Sequence, residues 1–163
     1  MSFVPDINIG SAITNSELIE IFKCGNVGGM RRSHQTNTLV ILSDHNKDLY
    51  DDKWYENVLH YTGMGKIGDQ HINFMQNRTL AESTSNNVEV HLFELFKSGE
   101  YTYMGLVWLV EEPYQEVQKS ADGLLRNVGM FPLRRKQDGY VIDEIKLIEL
   151  DHLKQKNKEI IHR

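Results

Sequence analysis

A chain of 163 residues, 40% apolar and 25% charged, is long enough for one domain with a hydrophobic core and too short for two ordinary ones. That composition excludes a disordered chain, no apolar run reaches the ~18 residues of a membrane helix, and the first ten residues carry no secretory pattern. One cysteine, Cys24, excludes an internal disulfide and a cysteine-based zinc site, which suits a cytoplasmic protein, and a net charge of −5 weighs against bulk phosphate neutralisation.

In chain order, residues 13–18 read as a helix start: Thr14 is placed to cap, Glu17 to reach back, and Ile13 to pack on Leu18. Leu18, Ile21 and Phe22 form an apolar stripe that Cys24-Gly25 ends, and a glycine-rich loop follows at residues 26–32. Residues 38–43 and 58–62 suit buried strands. Residues 63–69 are a turn region, and residues 72–82 predict a helix bearing Phe74, Met75 and Leu80. Residues 88–97 and 101–110, joined by Ser98-Gly99-Glu100, form the strongest hairpin, and residues 126–133 are a further strand. From Ile142 the pattern turns helical and polar. The elements add up to an α+β fold dominated by a curved sheet.

The basic residues gather at 23–32 and 134–136, with Lys66, Arg78 and Arg126 between them, a distribution that allows a basic face on an acidic body without proving one. Gly63-Met64-Gly65-Lys66-Ile67-Gly68 spells the dinucleotide fingerprint, but the strand–helix–strand context and the ribose-binding acid are missing, so a plain glycine turn is the reading. Asp143-Glu144-Ile145-Lys146 holds half of a metal-dependent nuclease site, with Asp138 as its nearest upstream acid; it reads better as the start of the last helix. The seven histidines lack the i, i+4 spacing of a helical zinc site. Tyr50-Asp51-Asp52 and His60-Tyr61-Thr62-Gly63 combine aromatics and carboxylates; taken alone, Tyr50 reads as a half-buried loop tyrosine and Asp51-Asp52 as a solvated turn.

Four ordered segments carry a resemblance. They are residues 7–11 (Ile-Asn-Ile-Gly-Ser); Val27-Gly28-Gly29-Met30 with residues 38–42; Tyr50-Asp51-Asp52 with Tyr61-Thr62-Gly63-Met64-Gly65; and residues 77–81 through Tyr103-Met104-Gly105-Leu106 to Phe131-Pro132-Leu133-Arg134. Together they resemble the SRA (SET- and RING-associated) domain, a reader of methylated cytosine that also occurs in bacterial modification-dependent (type IV) restriction endonucleases. The resemblance spans roughly residues 7–136, with residues 7–11 as the opening strand. It implies a twisted, barrel-like sheet with flanking helices (SRA/PUA-like) over residues 1–140, and a connector or homodimer helix over 141–163.

The resemblance also implies roles. A modified cytosine, 5-methylcytosine or 5-hydroxymethylcytosine, is flipped from duplex DNA into a pocket of Tyr50, Tyr61, Thr62 and either Asp51 or Asp52. Val27, beside Gly28 and Gly29, fills the vacated stack, while Arg31, Arg32, Lys66 and Arg78 lie near the phosphates. Two departures stand out. The Tyr50–Tyr61 interval is one residue short of the eukaryotic pattern, and the loop after Gly65 offers only Lys66, His71 and Asn73 where an Asn-Lys-Arg finger would stand. The implied protein is the reader of a restriction system, without catalysis, metal or cofactor of its own, partnered by a nuclease domain or subunit. The rivals are a self-contained nuclease using Asp138, Glu144 and Lys146, and a reader of another modified nucleic acid.

Overall fold

Thr14 fixes where the first helix begins. Its Oγ1 accepts from the Glu17 N–H at 3.2 Å, and its own N–H donates to Glu17 Oε1 at 3.0 Å, so two orphan donors of helix α1 (Asn15–Phe22) are satisfied at once. Lys23 closes the helix in the left-handed region at φ 55, its N–H donating to Ile19 O. Leu18 and Phe22 are buried against Val40, Phe93 and Tyr103, as the stripe in the sequence requires.

The computed structural model describes residues 2–46 and 50–137. The helix expected from Ile142 and the residues Asp138, Glu144 and Lys146 lie outside the described residues. Among the described residues, no helix is long and apolar enough to cross a membrane.

After β1 (Ala12–Ile13) and α1 come β2 (Met30–Ser33), β3 (Thr38–Asp44), β4 (Lys53–Tyr55), β5 (Val58–Thr62), α2 (Gln76–Ala81), β6 (Glu89–Lys97), β7 (Glu100–Leu109), β8 (Tyr114–Lys119) and β9 (Leu125–Arg135). They form one nine-stranded sheet in the order β2-β3-β6-β7-β9-β5-β4, with β1 added on β7 and β8 on β9. All pairs are antiparallel except β3 with β6. The two ends, β2 and β4, do not pair, so the barrel-like sheet stays open. Alternation along β3 sends Leu39 and Ile41 into one core and Val40 into the other. The first core, which also holds Leu59, Tyr61, Phe131 and Leu133, lies behind the functional site.

Three expectations are corrected. The helix read at residues 72–82 shrinks to α2, because Asn77 binds the preceding loop instead: its Nδ2 donates to Met64 O and His71 O, each at 3.1 Å, and its Oδ1 accepts from Met64 N. Met75 takes φ 47, and Phe74 and Met75 stay exposed. The opening strand read at residues 7–11 becomes the two-residue β1, since Gly10 turns at φ 94, although Gly10 N–H still donates to Tyr103 O and Ser11 O accepts from Tyr103 N–H. Strands β2, β4 and β8 were unread in the sequence. They are short or polar: β8 (YQEVQK) buries only Gln118, so no apolar alternation marks it.

Candidate nucleic-acid interface

The site is organised by one carboxylate. Residues 51–55 run extended, with Asp52 and Trp54 turned inward and Asp51, Lys53 and Tyr55 in solvent. Asp52 therefore faces β5, where its Oδ1 accepts from the Thr62 N–H at 2.7 Å. Its Oδ2 accepts from Ser43 Oγ, at the end of β3, at 2.8 Å. Burial pushes the Asp52 carboxyl up to about 6, against the pull of the Thr62 N–H, the Ser43 hydroxyl and the nearby His45. Asp51, one residue earlier, instead makes an exposed ion pair with Lys53 at 3.0 Å.

The two tyrosines differ in kind. Tyr61 is 3% exposed and belongs to the main core; its hydroxyl lies 3.0 Å from both Gly29 O and Leu42 O. Burial drives its pKa well up, with the charge of Asp52 and the neighbouring Tyr50 adding to the effect. Tyr50 is only half-buried, and there too burial raises the hydroxyl, opposed by the charge of Arg126 and the Gly65 backbone and reinforced by Asp52. Asp52 bonds Thr62 directly and its charge reaches the hydroxyls of Tyr50 and Tyr61, and Tyr50 is the more accessible of the two rings.

Gln118, unread in the sequence, closes another side. Its Nε2 donates to Thr62 Oγ1 at 3.3 Å and approaches Met130 Sδ at 3.5 Å, and its Oε1 accepts from the Asp51 N–H at 3.3 Å. Behind Asp52, Glu94 Oε2 pairs with His45 Nε2 at 2.6 Å and accepts from Trp54 Nε1 at 3.1 Å. Ser43 with His45, then Glu94, then Gln118 come from three separate stretches of sequence, which the β3–β6, β5–β9 and β8–β9 pairings bring together.

The glycine-rich loop is tied directly to the cluster. Gly29 O accepts from Leu42 N–H at 2.7 Å as well as facing the Tyr61 hydroxyl. Val27 projects at the loop's tip, 77% exposed, beside Gly28 at φ 92. The arginines expected near phosphates are turned to other work. Arg31 is buried, donating from Nε to Gly28 O at 2.9 Å and from Nη1 to Asn15 Oδ1 at 2.6 Å. Arg32 donates to Thr38 O at 3.1 Å and to Asn37 Oδ1 at 2.8 Å. Arg31 braces the glycine loop, and Arg32 braces the turn between β2 and β3. Lys66 is exposed, and Arg78 is exposed with a Glu82 partner at 3.1 Å. Arg126 is buried, and Lys136 lies 3.7 Å over the Trp108 ring, so the basic face anticipated from composition is partly spent on internal contacts.

The glycine turn at residues 63–68 starts no helix; the next one begins at Gln76. A Cβ on Gly63 would stand 2.7 Å from Asn77 Oδ1 and 3.0 Å from the Phe131 ring, so this glycine serves packing. Among the described residues, no three His, Cys, Asp or Glu side chains are grouped to hold a metal ion.

A family model described as "ScoMcrA-like, SRA domain" matches residues 9–140. No curated protein matches the chain. Among solved structures, the sulfur-binding and SRA domains of ScoMcrA, complexed with phosphorothioated DNA, align at TM-score 0.69 and 15% identity, covering 89% of this chain and 45% of that one. The whole type IV phosphorothioation-dependent restriction endonuclease ScoMcrA aligns at TM-score 0.69 and 16% identity, with 32% of its chain covered. The SRA domain of SUVH5, in complex with hemi-methylated CG DNA, aligns at TM-score 0.61 and 26% identity, covering 84% of this chain and 94% of that domain. The chain therefore spans less than half of the ScoMcrA chains and nearly all of the SUVH5 domain.

Proposed function

The chain belongs to the ScoMcrA-like SRA domain family, and from that premise we propose that it binds duplex DNA and holds a modified cytosine, rotated out of the stack, against Tyr50 and Asp52. The observation that carries this reading is the inward Asp52 carboxylate, with each oxygen already oriented by one donor and each retaining a lone pair. A carboxylate is the acceptor that suits the exocyclic amine of cytosine. The same carboxylate discriminates against thymine, which presents a carbonyl oxygen at that position. Of the two acids left open by the sequence, Asp52 takes this role and Asp51 stays in solvent.

Extruding a base costs a few kcal/mol, and stacking on an aromatic ring returns about 1–3 kcal/mol. Tyr50 supplies the accessible ring and Tyr61 the inner wall, held rigid by its buried hydroxyl. Val27 enters the space the base leaves, on a loop that Arg31 stiffens through Gly28; Lys66 and Arg78 meet phosphates. A methyl group in an apolar niche adds about 0.8 kcal/mol, roughly a fourfold preference over plain cytosine. The matched region is only part of ScoMcrA, a restriction endonuclease, which supports a reader that works with a nuclease domain or subunit.

Anisotropy titrations at fixed salt test the proposal with duplexes carrying cytosine, 5-methylcytosine, 5-hydroxymethylcytosine or a phosphorothioate linkage. The reading expects a modified cytosine to bind most tightly, and Asp52→Asn to erase the preference. Tightest binding of the phosphorothioated duplex, unchanged by Asp52→Asn, would move recognition from base to backbone.

A further inference from the structure

Residues 50–55 carry Tyr50 and Asp52, yet little backbone holds them in place. Their strand, β4, ends the sheet and is bonded along its backbone to β5 alone among the described strands. The rest of the fold grips the segment through side chains. Asp52 and Trp54, its successive inward positions, reach Ser43 and Glu94, which stand opposite each other in the β3–β6 ladder. Ser43 Oγ donates to Asp52 Oδ2 at 2.8 Å, and Trp54 Nε1 donates to Glu94 Oε2 at 3.1 Å. The same Glu94 oxygen meets His45 Nε2 at 2.6 Å, and the His45 ring stacks on Phe96 with centroids 5.1 Å apart.

Glu94 is 3% exposed, between buried Phe93 and Leu95 on β6. A buried carboxylate loses its hydration, and an apolar side chain of similar volume would serve packing at least as well. What the carboxylate adds is direction: one oxygen gathers the Trp54 N–H and the His45 ring on the inner side of β4. We infer that Glu94, braced by His45, is a positioning residue, which through Trp54 sets the Asp52 carboxylate where it meets the exocyclic amine of the captured base. The inference rests on the modified-base reading above. Asp52 and Trp54 are two residues apart on one extended segment, so a shift of the Trp54 ring carries the carboxylate with it. Hydrogen bonds weaken steeply with distance and angle, so a small shift is enough to blunt the reading of the amine.

The test compares, by anisotropy at fixed salt, a duplex with 5-methylcytosine opposite guanine and one with thymine opposite guanine at the same position. Both bases carry the 5-methyl group, so the ratio of affinities reads the amine against the carbonyl, and the easier opening of the mismatch cancels between wild type and variant. The variant is Trp54→Phe/Glu94→Leu, which removes donor and acceptor together and orphans neither. The positioning role predicts that the ratio falls by about two- to tenfold, and that in an Asp52→Asn background the same two changes leave it where it was. His45→Ala, at a partly exposed position, should lower the ratio in the same direction and carries the test if the double variant does not fold. A wild-type ratio in the folded variants overturns the role whatever happens to their melting temperature, and so does an equal loss of affinity for both duplexes; either leaves the pocket reading intact. A fall that persists in the Asp52→Asn background also overturns it, since Glu94 would then act elsewhere. A wild type that binds the two duplexes equally overturns the pocket reading itself, and the positioning role with it.

Discussion

At the scale of single residues, the account turns on Asp52. An acid whose pKa rises on folding favours the folded state only while protonated. Its contribution is complete below the ordinary value of 3.8 and is lost as pH climbs through about 6. The free protein should therefore lose about 1–2 kcal/mol from this group between pH 4 and pH 7, allowing for its partial exposure. Asp52→Asn should abolish that loss, melting no lower than wild type at pH 7.5 and higher than it relative to their difference at pH 4. DNA binding should run the other way, because the ionised carboxylate is the stronger acceptor for an amine: wild-type affinity rises with pH to a plateau above about 6, and a flat profile would remove Asp52 from base contact. Tyr50→Ala should cost about 1–3 kcal/mol of binding, seen as a 5- to 150-fold rise in Kd, with little loss of stability from a half-buried ring. The sequence showed both acids and both tyrosines but not their directions. A period-two alternation turns Asp52 inward and leaves Asp51 in solvent, and that period only becomes visible once β4 is known to pair with β5. Arg31 is the counterpart: its charge was plain, yet its burial against Gly28 and Asn15 was not.

At the scale of elements, the capping box at Thr14 was fully legible because its partners are three residues apart. Thr14→Ala should lower stability by about 1 kcal/mol in denaturant titration while sparing the DNA-base preference, since α1 packs on the second core. The central strands β3, β5, β6, β7 and β9 were equally legible, being apolar and long enough to show their pattern. Strands β2, β4 and β8 were not, because their inward positions are polar or shared with charged neighbours. That gap hid Gln118, a wall of the site. The link between the glycine loop and the site also runs through an element pair: the Tyr61 hydroxyl faces carbonyls of Gly29 and Leu42. Tyr61→Phe should remove the one hydroxyl proton those carbonyls share, cost about 0.5–1.5 kcal/mol of stability, and raise amide exchange in residues 26–30 above wild type. Unchanged exchange there would mean that the loop is held by Arg31 and Leu42 alone.

At the scale of the whole molecule, the open nine-stranded sheet and the match over residues 9–140 place the chain among SRA domains, and the ordered segments in the sequence pointed to that family before any coordinate did. What composition suggested less well was electrostatics: the net charge is −5, Arg31, Arg32 and Arg126 are engaged in internal contacts, and of the four cations expected at phosphates Lys66 and Arg78 stay exposed. Two or three such contacts predict a shallow salt dependence, a slope of about −2 to −3 in log K against log salt, so that base capture rather than charge dominates affinity. The most direct test of that capture places 2-aminopurine beside the modified cytosine of a duplex and follows its fluorescence as protein is added. The account predicts that emission rises as the stack opens, saturating with the binding curve, and that Asp52→Asn and Tyr50→Ala blunt the rise. Full binding with no change in emission would mean that the base stays in the helix, and would contradict the account.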